Sequence, residues 1–142
     1  MPNHHPVTIV MVEDDEGHAR LIEKNIRRAS VNNEIKHFSS GTAAMEYLFK
    51  PEVRANGPLL LLLDLNLPDM SGTEILAKLK QDDLLKRSPV IVLTTTDDQR
   101  EIQRCYDLGC NVYITKPVDY ENFALAIRQL GLFFSVMQVP EV

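Results

Sequence analysis

The sequence lacks several features that would define a protein class by themselves. No apolar run approaches the roughly 20 residues that a membrane-spanning helix needs. Residues 1–6 have neither the basic nor the apolar region of a secretion signal. Lysines and arginines number 15 against 20 aspartates and glutamates, so no basic excess is available for a nucleic-acid backbone. We therefore expect a cytoplasmic protein that binds neither membrane nor nucleic acid.

Cysteine is scarce, and tryptophan is absent. Cys105 and Cys110 are five positions apart, which matches neither a zinc-binding nor a redox spacing. We expect both to be reduced, buried thiols. The length of 142 residues suits one domain with one core. We assign residues 1–142 to that domain, with a core from about 7 to 130 and an apolar C-terminal extension over 131–142.

Against these absences, one segment is highly informative. Five leucines in a row, from Leu59 to Leu63, end at the carboxylate of Asp64. Turn-forming residues bound this run on both sides, as expected for a strand that is buried on both faces. Asp64 would then lie where a central strand leaves the core, and open α/β sheets bind ligands at that edge. The simpler interpretation, that Asp64 only caps a loop, stays open at this point.

Apolar runs and helical stripes alternate along the chain. This alternation predicts a parallel sheet in α/β layers with right-handed crossovers. The five predicted strands are residues 8–12, 34–38, 59–63, 89–93 and 112–115, and a helix follows each one.

Several residues mark the predicted helix ends. Pro51 ends the second helix, and we expect a loop over 52–58. Asp97 is the expected cap of the fourth helix, and Gly109 is its expected end. Asp119 is the expected cap of the last helix.

Polar side chains follow four of the predicted strands. Glu13 and Asp14 follow the first strand, Asp64 the third, Thr94 ends the fourth, and Lys116 follows the fifth. Two carboxylates about 4 Å apart repel by about 4 kcal/mol at an effective dielectric of 20. Lys116 or a hard divalent cation could offset this repulsion, and Mg²⁺ suits carboxylates together with a phosphate oxygen.

The order of these groups resembles the response-regulator receiver domain of two-component signalling. The residues that carry the resemblance are Val12-Glu13-Asp14-Asp15, Leu63-Asp64-Leu65-Asn66-Leu67-Pro68, Thr94 and Thr115-Lys116-Pro117. It extends from about Val7 to Leu130. It implies an α/β fold of the flavodoxin-like, doubly wound type, with five parallel strands in the order 2-1-3-4-5 and helices on both faces.

The resemblance also implies site roles. Asp64 would be phosphorylated by a histidine kinase. Mg²⁺ would bind Asp14 and Asp64 directly, Glu13 mainly through water, and the backbone carbonyl of Asn66. Lys116 would pair with Asp64 and then with a phosphoryl oxygen.

Further roles concern switching. Thr94 would donate its hydroxyl to the phosphoryl group, and Tyr113 would turn inward with it. Asp15 would serve the start of the first helix, and the Lys116–Pro117 bond would be cis. Asn66 and Thr96 would flank the attacking water.

The implied function is regulatory rather than enzymatic, beyond the domain's own phosphotransfer and autodephosphorylation. Three features resemble the single-domain regulators of bacterial phytochrome kinases. They are the long loop before the third strand, the residues from Asp64 to Pro68, and the apolar tail ending in Pro140. A red/far-red sensor histidine kinase is then the expected phosphoryl donor. Output would pass through a protein surface or to a downstream phosphotransfer protein.

The C-terminal segment carries more apolar residues than one helix face can bury. We expect the last helix and tail to pack against a second copy, which would give a homodimer. The alternative is that the segment folds back on its own domain.

Three other functions remain open. A Mg²⁺-dependent phosphatase of the haloacid dehalogenase type needs a second aspartate where Asn66 stands. A flavodoxin needs a phosphate-binding loop where Glu13, Asp14 and Asp15 would repel the ligand. A pseudo-receiver would dock partners without being phosphorylated.

Overall fold

A computed structural model describes residues 3–133 and 138–141 of the chain. Within them the strands are β1 (Asn3–Pro6), β2 (Ile9–Val12), β3 (Ile35–Phe38), β4 (Leu60–Leu63), β5 (Val90–Thr94), β6 (Val112–Thr115) and β7 (Gln138–Glu141). The helices are α1 (Glu16–Arg28), α2 (Gly41–Leu48), α3 (Pro51–Ala55), α4 (Gly72–Gln81), α5 (Gln99–Leu108) and α6 (Tyr120–Phe133), with a 3₁₀ turn at Leu85–Arg87.

The central sheet of the described residues has the order β3-β2-β4-β5-β6, with every neighbouring pair parallel. Counted without β1, this is the predicted order 2-1-3-4-5. The register pairs Val12 with both Phe38 and Leu63, and Thr94 with Thr115. The carboxyl ends of the strands therefore meet at one edge, as the sequence predicted.

The leucine run of β4 supplies both faces of the core. Successive side chains of a strand point to opposite faces. Leu60 and Leu62 accordingly pack with residues of α1 and α6, whereas Leu61 and Leu63 pack with residues of α2, α4 and α5. All four are at most 1% exposed. Full burial of a leucine side chain contributes about 1.5–3 kcal/mol, so this short strand is a major source of stability.

The predicted helix ends are confirmed in part. Asp15 caps α1 by accepting a hydrogen bond from the His18 backbone N–H at 3.0 Å. Gly109 ends α5 at φ +113°, a conformation that favours glycine. Asp119 accepts from the Glu121 N–H at 3.1 Å at the start of α6. The expected cap Asp97 was wrong, because Asp98 fills that position.

The region predicted as a loop after Pro51 was also wrong in part, because it contains the short helix α3. Proline suits the first turn of a helix, since its missing N–H would have no partner there. Arg54 of this helix forms a 2.8 Å ion pair with Asp82, which follows α4. A tertiary contact therefore supports a helix too short to be stable alone.

No sequence pattern predicted the antiparallel pair formed by β1 and β7. The C-terminal strand of this chain thus lies beside its own N-terminal strand. Residues 134–137 and 142, which belong to the segment expected at a dimer interface, lie outside the described residues. Among the described residues, none of the helices combines the length and the hydropathy that a membrane span requires.

The two cysteines are free and buried, as predicted. Burial raises the pKa of the Cys105 thiol to about 11 and that of Cys110 to about 12. Both thiols are therefore protonated at neutral pH and serve as small apolar side chains.

Candidate functional site at the carboxyl edge of the sheet

Three carboxylates meet where the neighbouring strands β2 and β4 end. Because Val12 pairs with Leu63, the residues that follow them come together. Glu13, Asp14 and Asp64 each offer an oxygen within 4.8 Å of the others. Glu13 is 2% exposed and Asp64 6% exposed, whereas Asp14 is open to solvent.

The side chain of Lys116 enters this cluster from the end of β6. Its ammonium contacts the Glu13 carboxylate and lies 3.2 Å from Oδ2 of Asp64. The Lys116 backbone N–H donates to the Thr94 carbonyl at 2.8 Å, which fixes the lysine beside β5. Burial raises the pKa of Glu13, and the hydrogen bond from Lys116 opposes this shift. The Lys116–Pro117 peptide bond is cis, as the resemblance implied.

The carboxyl group of Asp64 is held by the backbone around it. Its N–H donates to the Val12 carbonyl at 3.0 Å, and its Oδ1 accepts from the Asn66 N–H at 3.0 Å. Gly72 packs closely behind it, since an added Cβ there would lie 2.4 Å from the Asp64 carbonyl oxygen. One carboxylate oxygen thus faces a backbone donor and the other faces Lys116.

The predicted switch residues lie on the β5 side of the same edge. Thr94 is fully buried, and its Oγ1 accepts from the Asn66 side-chain amide at 3.3 Å. The same amide lies 3.4 Å from Oγ1 of Thr96. The Tyr113 hydroxyl donates to the Thr96 carbonyl at 2.7 Å, and burial raises the pKa of this phenol to about 12. The structure therefore links Asn66, Thr94, Thr96 and Tyr113 in one network.

Sequence reasoning missed two histidines at this edge. Nζ of Lys116 lies 3.2 Å from Nδ1 of His18, on the first turn of α1. Nε2 of His37, on β3, lies 2.7 Å from the Glu13 carbonyl oxygen. A histidine four residues after Asp14 on a predicted helix was a weak signal, and His37 offered none.

Asp69 is a third residue that the sequence did not single out. Its carboxylate accepts from the N–H groups of Gly41 and Thr42 at 2.9 and 2.7 Å, and from the Thr42 hydroxyl. These bonds, led by that hydroxyl, lower the pKa of Asp69 to about 2. The loop that follows Asp64 is thereby attached to the start of α2.

The donor set fits a hard divalent cation. Glu13, Asp14 and Asp64 supply oxygen atoms only, and Mg²⁺ and Mn²⁺ prefer oxygen ligands. Asp14 is exposed, so a cation could reach the cluster while keeping part of its water shell. A buried carboxylate beside a lysine and a cation site is suited to phosphoryl transfer, which depends on alignment and charge neutralisation.

Comparison with known proteins identifies a family for this chain. Residues 9–128 match the sequence pattern of the family described as "Response regulator receiver domain". A receiver-domain crystal structure from Rhodospirillum rubrum is 70% identical, covers 96% of this chain and 99% of that chain, and has a TM-score of 0.78.

Two relatives, Rcp1 and RcpA, have descriptions that name a bound metal ion or a phytochrome. Response regulator Rcp1 of Synechocystis is 39% identical over 131 residues, which is 91% of this chain and 89% of that protein. A structure of the Mn²⁺-bound form of Rcp1 aligns with a TM-score of 0.73, at 35% identity over 91% of this chain and 94% of that chain. The phosphorylated cyanobacterial phytochrome response regulator RcpA is 35% identical over 97% of this chain and 100% of that chain, with a TM-score of 0.75.

Proposed function

This chain belongs to the response-regulator receiver domain family, and we propose that it accepts a phosphoryl group from a sensor histidine kinase on Asp64. The observation that carries the proposal is the position of that carboxylate. It is buried, it accepts from the Asn66 backbone, and it faces Lys116 at an edge that holds two further carboxylates.

The proposed reaction is a displacement at phosphorus. A carboxylate oxygen of Asp64 attacks the phosphorus of a phosphohistidine, the P–N bond breaks, and the donor imidazole leaves with the electron pair. An acyl phosphate forms on Asp64. Lys116 then donates to a phosphoryl oxygen, and the Thr94 hydroxyl donates to another, so positive charge and donors offset the new negative charge.

The proposal includes a Mg²⁺ site. Asp14 and Asp64 would bind the cation directly, Glu13 would bind mainly through water, and the Asn66 carbonyl would complete the protein ligands. When bound, the cation neutralises negative charge on the carboxylates and the phosphoryl group. The acidic cluster and the Mn²⁺-bound form of the relative Rcp1 support this part of the proposal.

We further propose a phytochrome kinase as the donor and a phosphotransfer protein as a recipient. The support is the likeness to RcpA, which is described as a phytochrome response regulator. The role is regulatory, with catalysis limited to the domain's own phosphorylation and autodephosphorylation. A cytoplasmic location belongs to the same proposal, because free thiols such as Cys105 and Cys110 suit a reducing compartment.

Intact-mass measurement after incubation with acetyl phosphate and Mg²⁺ tests the acceptor. We expect the wild type to gain the mass of one phosphoryl group and Asp64→Asn to gain none. The matched control is Asp107→Asn, which changes an exposed carboxylate on α5 and should be labelled normally. An unlabelled wild type would favour a pseudo-receiver, and labelling of Asp64→Asn would show that another residue is the acceptor.

The donor needs its own experiment. Purified phytochrome kinase, carrying radioactive phosphate, should label the wild type rapidly and leave Asp64→Asn unlabelled. The rate should follow the red or far-red state of the kinase. If phytochrome kinases fail while an unrelated histidine kinase labels the chain, the receiver function stands and the phytochrome pairing is wrong.

We also propose a homodimer through the C-terminal helix and tail. The apolar composition of residues 131–142 supports it. Light scattering at tens of micromolar should give a dimer for the full chain and a monomer for a chain ending at residue 130. A monomeric full chain would contradict the proposal and favour the fold-back arrangement, in which β7 stays beside β1 of its own chain.

A further inference from the structure

The ammonium group of Lys116 has a third neighbour besides the two carboxylates. It contacts Glu13, lies 3.2 Å from Oδ2 of Asp64, and lies 3.2 Å from Nδ1 of His18. An ammonium carries three N–H donors and no acceptor. Within the described residues, these three acceptors match the three donors of a lysine side chain that is only 7% exposed.

The contact between Lys116 and His18 defines the tautomer of the imidazole. Because the ammonium of Lys116 can only donate, Nδ1 of His18 must supply a lone pair, and the ring proton must lie on Nε2. A doubly protonated ring would have no acceptor and would repel the ammonium at this distance. The geometry therefore selects the neutral Nε2–H tautomer.

The position of His18 follows from the start of α1. Asp15 caps the helix by accepting from the His18 N–H at 3.0 Å. Its other carboxylate oxygen lies 4.0 Å from Nδ1, so the ring has the charge of Asp15 beside it as well as that of Lys116. The cap thus places the imidazole at the edge of the sheet, beside the end of the lysine side chain.

We propose that His18 is a positioning residue for phosphoryl acceptance on Asp64. Its Nδ1 accepts a hydrogen bond from the third N–H of Lys116, so that the ammonium stays beside the acidic cluster instead of turning toward solvent. Lys116, and not His18, touches the incoming phosphoryl group. This inference rests on the proposed function and adds to it a residue outside the set that the family resemblance supplied.

Two variants of the same position separate this role from simple packing. His18→Phe keeps a ring but removes the acceptor, whereas His18→Asn can place its side-chain oxygen where Nδ1 lies. With acetyl phosphate and Mg²⁺, we expect His18→Phe to lower the phosphorylation rate about 3- to 10-fold, since water replaces part of a charge-assisted hydrogen bond at a half-exposed site. His18→Asn should recover to within about 2-fold of the wild type.

The opposite results would overturn the proposal. A His18→Phe variant as fast as the wild type would show that the contact has no effect on the rate. A His18→Asn variant as slow as His18→Phe would show that the ring shape matters and the acceptor does not. Thermal unfolding of both variants gives the stability comparison, and the Asn-against-Phe rate ratio remains informative if both unfold at lower temperature.

A second measurement does not depend on phosphorylation. Nitrogen-15 NMR of histidine-labelled protein at about pH 8.5, where ordinary imidazoles are neutral, reports the tautomer of His18. We expect Nε2 to be protonated and Nδ1 to be a hydrogen-bonded acceptor whose signal moves in Lys116→Met. A protonated Nδ1, or an unchanged signal in Lys116→Met, would refute the contact. A wild type that takes no phosphoryl group would instead refute the proposed function, and NMR would still decide the contact.

Discussion

The hydroxyl of Tyr113 donates a 2.7 Å hydrogen bond to the backbone carbonyl of Thr96. This bond joins β6 to the loop after β5. The backbone N–H of Tyr113 donates in turn to the Tyr106 hydroxyl on α5 at 3.1 Å. The proposed switch residue is therefore attached to both the loop and the helix that follow Thr94, and a change of its side-chain rotamer about the Cα–Cβ bond must break the bond to Thr96.

Removing that hydroxyl tests the switch. Tyr113→Phe deletes a bond of the unphosphorylated chain, whose net contribution is about 0.5–1.5 kcal/mol. If the switched state lacks the bond, the variant should bind the phosphoryl analogue beryllofluoride about 2- to 13-fold more tightly in the presence of Mg²⁺. Titration followed by NMR measures the affinity.

The matched control for that experiment is Tyr47→Phe. Tyr47 lies on α2 with its ring centroid 5.1 Å from that of Phe38, the last residue of β3. Removing the Tyr47 hydroxyl should leave the affinity for beryllofluoride unchanged. Equal or weaker affinity in Tyr113→Phe would contradict the proposed role of the Tyr113–Thr96 bond.

Mg²⁺ should stabilise the folded chain through Asp14. A cation present at 100 times its dissociation constant adds about 2.7 kcal/mol to the free energy of unfolding. Thermal unfolding with and without Mg²⁺ should show this gain in the wild type and lose most of it in Asp14→Asn. Without Mg²⁺ the variant should be at least as stable as the wild type, because it removes one charge from a cluster of three carboxylates.

Asp107→Asn is the control for nonspecific effects of Mg²⁺ on surface charge. It should keep the full stabilisation by Mg²⁺. A stabilisation that survives in Asp14→Asn would place the cation elsewhere on the chain.

The Asp69 contact predicts a pH dependence of stability. The Thr42 hydroxyl first, and then the N–H groups of Thr42 and Gly41, lower the pKa of Asp69 from 3.8 to about 2 in the folded chain. A lowered pKa stabilises the fold above the unfolded value and loses that effect as the pH falls through the folded value. Between about pH 4 and pH 2, the free energy of unfolding should therefore fall more steeply in the wild type than in Asp69→Asn.

Asp83→Asn serves as the reference for that comparison, because the Asp83 side chain is 95% exposed. Denaturant unfolding at several pH values should show that the free energy of unfolding of Asp83→Asn falls with pH as steeply as that of the wild type. If the free energy of unfolding of Asp69→Asn also fell with pH as steeply as that of the wild type, the bonds to Thr42 and Gly41 would contribute nothing to the pH dependence of stability.

Gly72 should not tolerate a side chain. An added Cβ would lie 2.4 Å from the Asp64 carbonyl oxygen and 2.7 Å from Cα of Leu65, both of which belong to the backbone. Gly72→Ala should therefore lower the free energy of unfolding by about 2–4 kcal/mol and slow phosphorylation, because the strain displaces Asp64. Denaturant unfolding and the intact-mass assay measure the two effects.

Gly17→Ala, on α1, is the matched control for Gly72→Ala. Its Cβ would meet only a side-chain oxygen of Asp15 at 3.2 Å, and alanine gains up to about 1 kcal/mol over glycine in a helix. We expect a stability close to that of the wild type. If Gly72→Ala were tolerated equally well, the close packing behind Asp64 would not matter for the fold.

Much of the fold and the site could be predicted because their signals are local. The leucines before Asp64 indicate a strand buried on both faces whatever the rest of the chain does. Parallel strands place their carboxyl ends at one edge, so Glu13, Asp14, Asp64 and Lys116 could be grouped without knowing any distance.

The errors concern features that have competing local solutions. Asp97 and Asp98 are both good helix caps by residue type, and in the structure Asp98 is the cap, with its side chain accepting from the Arg100 N–H. The helix after Pro51 is shorter than any isolated helix that persists in water, and its contact with Asp82 supports it.

The sequence by itself determined the alternation of strands and helices, the buried faces and the cluster of acids and lysine, because hydrophobic periodicity and strand polarity are properties of each segment alone. The strand order was implied by the family resemblance. Tertiary structure alone decided the partners that hold the cluster. His18 reaches Lys116 across 98 positions of the chain, and Asp69 reaches Thr42 across 27. Such contacts depend on how helices and loops pack over the sheet, and no local pattern of residues encodes that arrangement.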